Sequence, residues 1–380
     1  MGIIKKIINS ITKPRAKYQP LIEVRIFKDA LLHNLYTYQQ KYPKLQFAPV
    51  LKSNAYGHGL VEVAEILDSQ DLPFFMVDSF YEALVLRRAG IKSKVLVLGY
   101  CREKQLLENP LDNVSFGIID LEVLKKLSAK LKEPLNIHLK IDTGMHRQGI
   151  LVEEVEEAIK LIKANQNIIL EGVCSHFADA DGNSSAFTEK QIQQWNELVK
   201  VFKQQFQDIK YFHSANSAGA YYANKTDANI CRLGIGLYGF NVFPHESLNL
   251  KPALEMRSII TSIKTIPEGE KLGYNITYAA PLQMKTATVP VGYDEGLDRR
   301  LSNNGWVKID DMFCPIVGRV SMNMCSVDVT DVDVKIEDEV IVISSHREDK
   351  NSVKSVAKET GQTVYEILVK IPWYLKRIIT

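Results

Sequence analysis

Between Leu21 and about Gly239, short apolar runs alternate with stretches of helical periodicity, and that alternation leaves few folds open to the chain. Candidate strands read LIEVRI (21–26), FAPVLK (47–52), FFMVD (74–78), KVLVLG (94–99), VSFGII (114–119), IHLKID (137–142), LEGVCSHF (170–177), YFHSAN (211–216) and CRLGIGLYG (231–239). Between them, LVEVAEILDSQ (60–70), FYEALVLRRAG (80–90), VEEVEEAIKLIKANQ (152–166) and EKQIQQWNELVKVFKQQF (189–206) carry the apolar spacing of amphipathic helices. Two of these close on a glycine or asparagine stop. A strand–helix pair repeated about eight times predicts a parallel α/β fold. A closed (β/α)8 barrel of ~220 residues is the first reading and an open doubly wound sheet the second.

After NVFPHESLNLKP (241–252) the rhythm changes. LEMRSIITSIKTI (254–266), TATVPVGY (286–293), WVKID (306–310), FCPIVG (313–318), CSVDVT (325–330) and EVIVIS (339–344) read as strands parted by turn residues, with one late helix candidate, SVKSVAKET (352–360). With 380 residues the chain is too long for one ordinary domain. It divides into an N-terminal extension (1–20), an α/β barrel (21–245) and an all-β second domain (246–380). Hydrophobic residues at 46% allow a large core without disulfides or a structural metal, and no metal-ligand pattern is read.

Charge narrows the partners. Lys and Arg number 47 against 45 Asp and Glu, so no long-range field draws in nucleic acid. Cys101, Cys174, Cys231, Cys314 and Cys325 are odd in number and widely spaced, which predicts reduced thiols in a cytoplasmic protein. No run approaches the ~20 apolar residues of a membrane span. At the N-terminus, Ile3, Ile4, Ile7, Ile8 and Ile11 share one helical face beside Lys5, Lys6, Lys13 and Arg15. This segment reads first as a short docking or frayed extension and second as a membrane-surface helix.

The chemistry concentrates in PVLKSNAYGHG (49–59). An apolar strand ends in Lys52, and a polar, glycine-rich turn follows. A lysine at the C-terminal end of a barrel strand points into the active-site mouth, where its neutral amine can attack an aldehyde. A lone lysine there would ordinarily be a solvated strand end. The whole string, however, closely resembles the pyridoxal-phosphate (PLP) attachment site of alanine racemases.

The resemblance runs in order from about Ile22 to Tyr365 and implies a two-domain, PLP-dependent amino-acid racemase. It makes Lys52 the cofactor lysine and Tyr56 a phosphate ligand. In KIDTGMHRQG (140–149), Arg147 corresponds to the arginine that binds the substrate carboxylate and the cofactor's phenolic oxygen, and Lys140 to a lysine carbamylated in many members. His176, in CSHFADAD (174–181), corresponds to a histidine close to the pyridine ring, and Ser217, in HSANSAG (213–219), to a phosphate-binding serine. Without the resemblance these would read as a rim salt bridge, a core histidine and a helix cap.

CRLGIGLYG contains G-x-G-x-x-G, but no helix pattern follows and no acidic residue stands about 20 positions on, so the dinucleotide-binding reading fails. The resemblance instead sets Arg232 against the pyridine nitrogen and gives the backbone N–H groups of Gly234 and Ile235 to the phosphate. An arginine holds its proton far above neutral pH, so the ring stays largely unprotonated, which favours racemisation over decarboxylation or transamination.

Racemisation needs proton exchange on both faces of Cα. The resemblance assigns the second acid/base to Tyr274, in GEKLGYNITYAAP (269–281), reaching over from the partner subunit, with Lys52 serving the D-isomer and Tyr274 the L-isomer. Tyr293 is a further pocket tyrosine, Met322 offers its backbone to the substrate carboxylate, and Tyr365 binds phosphate near the entrance. Two departures stand out: Asn323 replaces a common aspartate, and Gly273 a serine. These features predict a homodimeric enzyme interconverting L- and D-alanine, which supplies bacterial peptidoglycan. A racemase of serine or of broad specificity is the alternative, and a non-catalytic PLP-binding protein a more remote one.

Overall fold

The structure, a computed structural model, describes residues 19–182, 184–243 and 246–380. The apolar face read at residues 3–11 lies outside the described residues.

Strands Phe75–Val77, Val95–Val97, Val114–Ile118, Leu135–Asp142, Ile168–Cys174 and Tyr211–His213 pair in parallel, each with the next. Strand Ile230–Leu233 pairs in parallel with Gln46–Pro49. Single bridges, Val50 to Met76 and Ala215 to Cys231, join this pair to the two ends of the row and close an eight-stranded ring. The strands buried on both faces, such as Phe75–Val77 and Val95–Val97, read as unbroken apolar runs because helices cover the outside. Helix Ala186–Gln205 shows how: Ile192, Trp195, Leu198, Val199 and Phe202 repeat at helical spacing and are all buried.

Nine candidate strands were available for eight places, and the first does not enter the barrel. Glu23–Ile26 lies in the second domain. It pairs antiparallel with Leu254–Ile259 and in parallel with Lys376–Ile379. Its burial alternates, Val24 and Ile26 in and Glu23 and Arg25 partly out, as in a sheet with one wet face. The six-stranded sheet around it runs Met312–Pro315, Trp306–Ile309, Glu339–Ile343, Leu254–Ile259, Glu23–Ile26, Lys376–Ile379. A three-stranded antiparallel sheet, Ser262–Ile266, Met284–Val289 and Cys325–Asp328, packs with it.

The second domain holds two late helices rather than the single one expected: Val353–Thr360 and Val364–Val369. The second is short, but Thr363 caps it, accepting from the Glu366 amide while Glu366 bonds back to the Thr363 N–H. It lies directly on the barrel: a Cβ on Gly57 would stand 2.1 Å from the Leu368 carbonyl oxygen. Only glycine, at φ +82°, fits that contact. None of the helices among the described residues is long and apolar enough to cross a membrane.

Candidate active site

Lys52 follows the strand Gln46–Pro49, and the backbone beyond it turns the wrong way for L-residues. Ser53, Asn54, Ala55 and Tyr56 have φ of 56°, 54°, 50° and 53°, one left-handed turn closed by Ala55 N–H to Leu51 O (2.8 Å) and Gly57 N–H to Ser53 O (3.2 Å). Each such residue costs on the order of 1–2 kcal/mol, so the turn exists only because its surroundings hold it. Asn54 Oδ1 accepts the Leu60 N–H (2.9 Å), the Ser53 N–H donates to Glu82 Oε1 (2.7 Å), and Arg377 Nη2 donates to the Gly57 carbonyl (2.8 Å). Beside the turn, Tyr238 Oη donates to Val50 O (2.7 Å) and its ring packs tilted against Tyr56, centroids 5.0 Å apart.

Lys52 faces a cavity of about 260 Å³ in the barrel mouth. Tyr56, Arg147, His176, Ser217, Arg232, Gly234, Ile235 and Tyr365, from six separate stretches of chain, line the same cavity. Its two ends differ in chemistry. At one, the Gly234 and Gly236 N–H groups point at Ser217 Oγ (3.1 and 3.2 Å). A Cβ at Gly234 would come within 2.9 Å of Tyr56 Oη, so bare backbone is needed there. Burial pushes the Tyr56 phenol up to about 12 and raises that of Tyr365, and both remain O–H donors. Hydroxyls and amides converging in this way suit a phosphate dianion.

At the other end stands Arg232, fully enclosed. Nη1 donates to His213 Nδ1 (2.9 Å) and His213 O (2.5 Å). Nη2 donates to Ser175 O (2.8 Å), His176 Nδ1 (2.8 Å) and Ser214 O (3.1 Å). A guanidinium only donates, so both imidazoles accept at Nδ1 and carry their protons on Nε2. His213 Nε2 then donates onward to His138 Nδ1 (2.8 Å). Burial, then the Arg232 charge, holds His176 and His213 well below the usual histidine range. Burial also lowers Arg232, against the nearby thiols Cys174 and Cys231. With its Nη hydrogens engaged by protein, the guanidinium is a fixed, edge-on partner for a ring nitrogen. The hydroxyl and amide cluster fits the phosphate of PLP and Arg232 its pyridine, in a cavity that Lys52 also lines.

Lys140, on strand Leu135–Asp142, is buried, and burial lowers its ammonium, with Arg232 and Arg147 adding to that and Cys174 opposing. Its Nζ reaches Gln148 Oε1 at 3.4 Å. Arg147 is exposed on the loop that follows.

The remaining candidates are elsewhere. Tyr274, in a turn between the paired segments Lys271–Leu272 and Tyr278–Ala279, is 68% exposed. Tyr293 and Met322 are exposed too, and none of the three lines the Lys52 cavity. Gly273 has φ +80°, so glycine is the natural residue there. Asn323 Nδ2 donates to Glu295 Oε1 (2.7 Å), and Glu295 Oε2 takes the Gly292 N–H (2.8 Å), locking the Tyr293 and Met322 loops together.

Four contributors were not read from the sequence: Gly236 beside the anion cradle, His213 behind Arg232, and Asn216 and Asp181 on the cavity wall. The glycine lay within GIGLYG and the histidine within HSANSAG, but nothing in either string told which N–H or ring would face inward.

Residues 26–242 match the family model of the alanine racemase N-terminal domain, and residues 253–379 that of the alanine racemase C-terminal domain. Among curated relatives, the alanine racemase of Methanococcus maripaludis is 35% identical over 344 residues, covering 88% of this chain and 92% of that protein. Among solved structures, the alanine racemase of Clostridium difficile 630 superposes with a TM-score of 0.88 at 31% identity, covering 96% of this chain and 97% of its own. A histidine racemase from Leuconostoc mesenteroides superposes at 0.85 with 26% identity, covering 95% and 98%. The chain belongs to the alanine racemase family.

Proposed function

We propose that this protein is a cytoplasmic, PLP-dependent homodimer that interconverts L- and D-alanine and supplies D-alanine for peptidoglycan. The observation that carries the reading is the cavity at Lys52, with an anion cradle at one end and a buried guanidinium at the other.

In this reading the phosphate is held by Ser217, the Gly234, Ile235 and Gly236 amides, and the Tyr56 and Tyr365 hydroxyls. Arg232 faces the pyridine nitrogen, with His176 beside the ring. When bound, the cofactor supplies an electron sink conjugated to the substrate Cα. Arg232 keeps the ring nitrogen from taking a proton, which limits that sink and its side reactions. Arg147 orients the substrate carboxylate, helped by the Met322 backbone and bounded by Tyr293. Lys140, its ammonium weakened by burial, is suited to gain carbon dioxide at Nζ with loss of a proton and to brace Arg147 as an anion.

Lys52 Nζ holds or takes the Cα proton on one face, and a phenol must serve the other. Tyr274 is exposed and outside its own chain's cavity, which supports a site completed by the partner's Tyr274. The barrel then supplies most of the cofactor half of each site, with Tyr365 added from the second domain of the same chain, and the partner's second domain supplies the closing half. The histidine racemase on the same fold makes another amino acid, such as serine, the second reading of substrate.

The test is racemase activity with PLP on L-alanine, L-serine and L-histidine, with Lys52→Ala and Tyr274→Phe each near background. Refolded together in equal amounts, the two inactive variants should recover about a quarter of parent activity: half the dimers are mixed, and each mixed dimer has one intact site. No recovery would sink the shared site. Faster turnover of another amino acid would move the substrate.

A further inference from the structure

The mechanism uses Lys52 but says nothing of what aims it. The left-handed turn that begins at Ser53 is held near Lys52 by a side chain from a different barrel unit. Glu82 sits in the first turn of helix Phe80–Arg88, after the next barrel strand, and its carboxylate is divided between two loops. Oε2 accepts the Asp78 N–H (2.9 Å), the Ser79 N–H (3.0 Å) and the Ser79 hydroxyl (3.3 Å). Oε1 accepts the Ser53 N–H at 2.7 Å.

The Ser79 N–H contact, with Ser79 Oγ accepting the Glu82 N–H in return (3.2 Å), forms a capping box that any helix could use, and the Asp78 N–H and Ser79 hydroxyl add to it. The Ser53 contact is not helix capping. The Lys52–Ser53 peptide is planar, so fixing the direction of the Ser53 N–H fixes the plane attached to the Lys52 Cα and narrows where its side chain can point. A carboxylate acceptor makes this bond roughly twice as strong as a neutral one. It bears on the first residue of a segment that, left alone, would relax toward right-handed geometry.

We propose that Glu82 is a positioning residue for Lys52, acting through the Ser53 amide. The proposal rests on the reading of Lys52 as the cofactor lysine. Glu82 touches neither substrate nor cofactor.

Glu82→Gln separates the two jobs. An amide has one acceptor oxygen. The Asp78 and Ser79 side offers it two backbone donors and the Ser53 side one, so the oxygen keeps the cap and the NH2 group is turned on the Ser53 N–H. Glu82→Ala removes both contacts. Ser79→Ala weakens the capping box and leaves the Ser53 bond in place.

In protein without added PLP, hydrogen exchange read by mass spectrometry should accelerate across 51–58 in both Glu82 variants and stay at the parent rate in Ser79→Ala. With PLP, a displacement of about 1 Å at the lysine should lower kcat roughly 100-fold. KM for alanine should hold within a few-fold, because the groups that bind its carboxylate are on other loops. Ser79→Ala should lose thermal stability but keep kcat within twofold. If Glu82→Ala does not fold, the Glu82→Gln result decides. Parent-like exchange at 51–58 together with parent-like kcat in the Glu82 variant overturns the proposal, as does an equal loss of kcat in Ser79→Ala. Borohydride reduction of the parent with PLP, followed by mapping of the labelled lysine, tests the cofactor assignment separately. A label on another lysine sinks that assignment and leaves the exchange result standing.

Discussion

Arg232→Lys keeps a positive charge and removes the fork. The guanidinium meets five protein acceptors: Ser175 O, His176 Nδ1, His213 Nδ1, His213 O and Ser214 O. His213 O also accepts the Ser175 N–H (3.1 Å), so four of the five acceptors depend on the guanidinium. An ammonium has three hydrogens, so at best one of those acceptors stays buried without a donor. That loss costs about 1–3 kcal/mol. Against a typical stability of about 5–15 kcal/mol this is substantial, and Tm should drop by a few degrees. The chemistry should shift as well. A lysine can hand a proton to the ring nitrogen where an arginine does not, so pyruvate released per racemisation event should rise. Differential scanning calorimetry without PLP reads the first effect and a coupled pyruvate assay the second. A variant that melts within a degree of the parent would refute the count of donors and acceptors, whatever its activity.

Acid should unfold the protein earlier than its carboxylates alone require. Burial, the largest influence in each case, pulls His58 and His138 down to about 3 and His176 and His213 well below the usual value. The unfolded chain binds these protons near pH 6.5 and the folded chain does not, so their contribution is fully present above pH 6.5 and is lost as pH falls toward 3. Urea midpoints between pH 8 and 5 should therefore decline below about pH 6.5, and a flat profile would contradict the neutral histidines. Asn323→Asp sets a second carboxylate against Glu295, where the amide now donates. The variant should lose about 1.5–3 kcal/mol at neutral pH and recover part of it in mild acid, where one proton bridges the pair, so its stability relative to the parent falls as pH rises. Parallel curves for parent and variant would exclude the effect.

The barrel was legible because its strands are continuous apolar runs and its helices keep a clean stripe. Where a stripe is broken, the reading weakens. Helix Lys28–Lys41 buries Asn34 beside Leu31, Leu35 and Tyr38, because that amide bonds the Leu237 and Lys251 carbonyls. Whereas the barrel strand Leu135–Asp142, which alternates as strictly in sequence, buries its polar His138 and Lys140, the misplaced strand 21–26 alternates in burial as well as in polarity. Its two partners lie more than 220 residues further on, and no local pattern names them. At the site, the motif strings located Lys52, Arg232 and Ser217. The sequence even shows the spacing of the Ser79–Glu82 cap. That the same carboxylate reaches the Ser53 amide depends on two barrel loops standing side by side, which is a fact of the closed ring and of no single segment.

The clasp of Glu23–Ile26 between Leu254–Ile259 and Lys376–Ile379 also bears on synthesis. The first of these strands leaves the ribosome ~350 residues ahead of the last, an interval of roughly 20–70 s at ordinary elongation rates. The barrel between them can close in that time while one end of the second domain waits unpaired. A cut near residue 245 would consequently release no self-sufficient second domain. The piece would lack the strand that seals two edges of its main sheet, and bare edges of that kind recruit other chains. A cell making this protein must carry an open β-edge through most of translation, and a short, charged Glu23–Ile26 is well chosen for the wait.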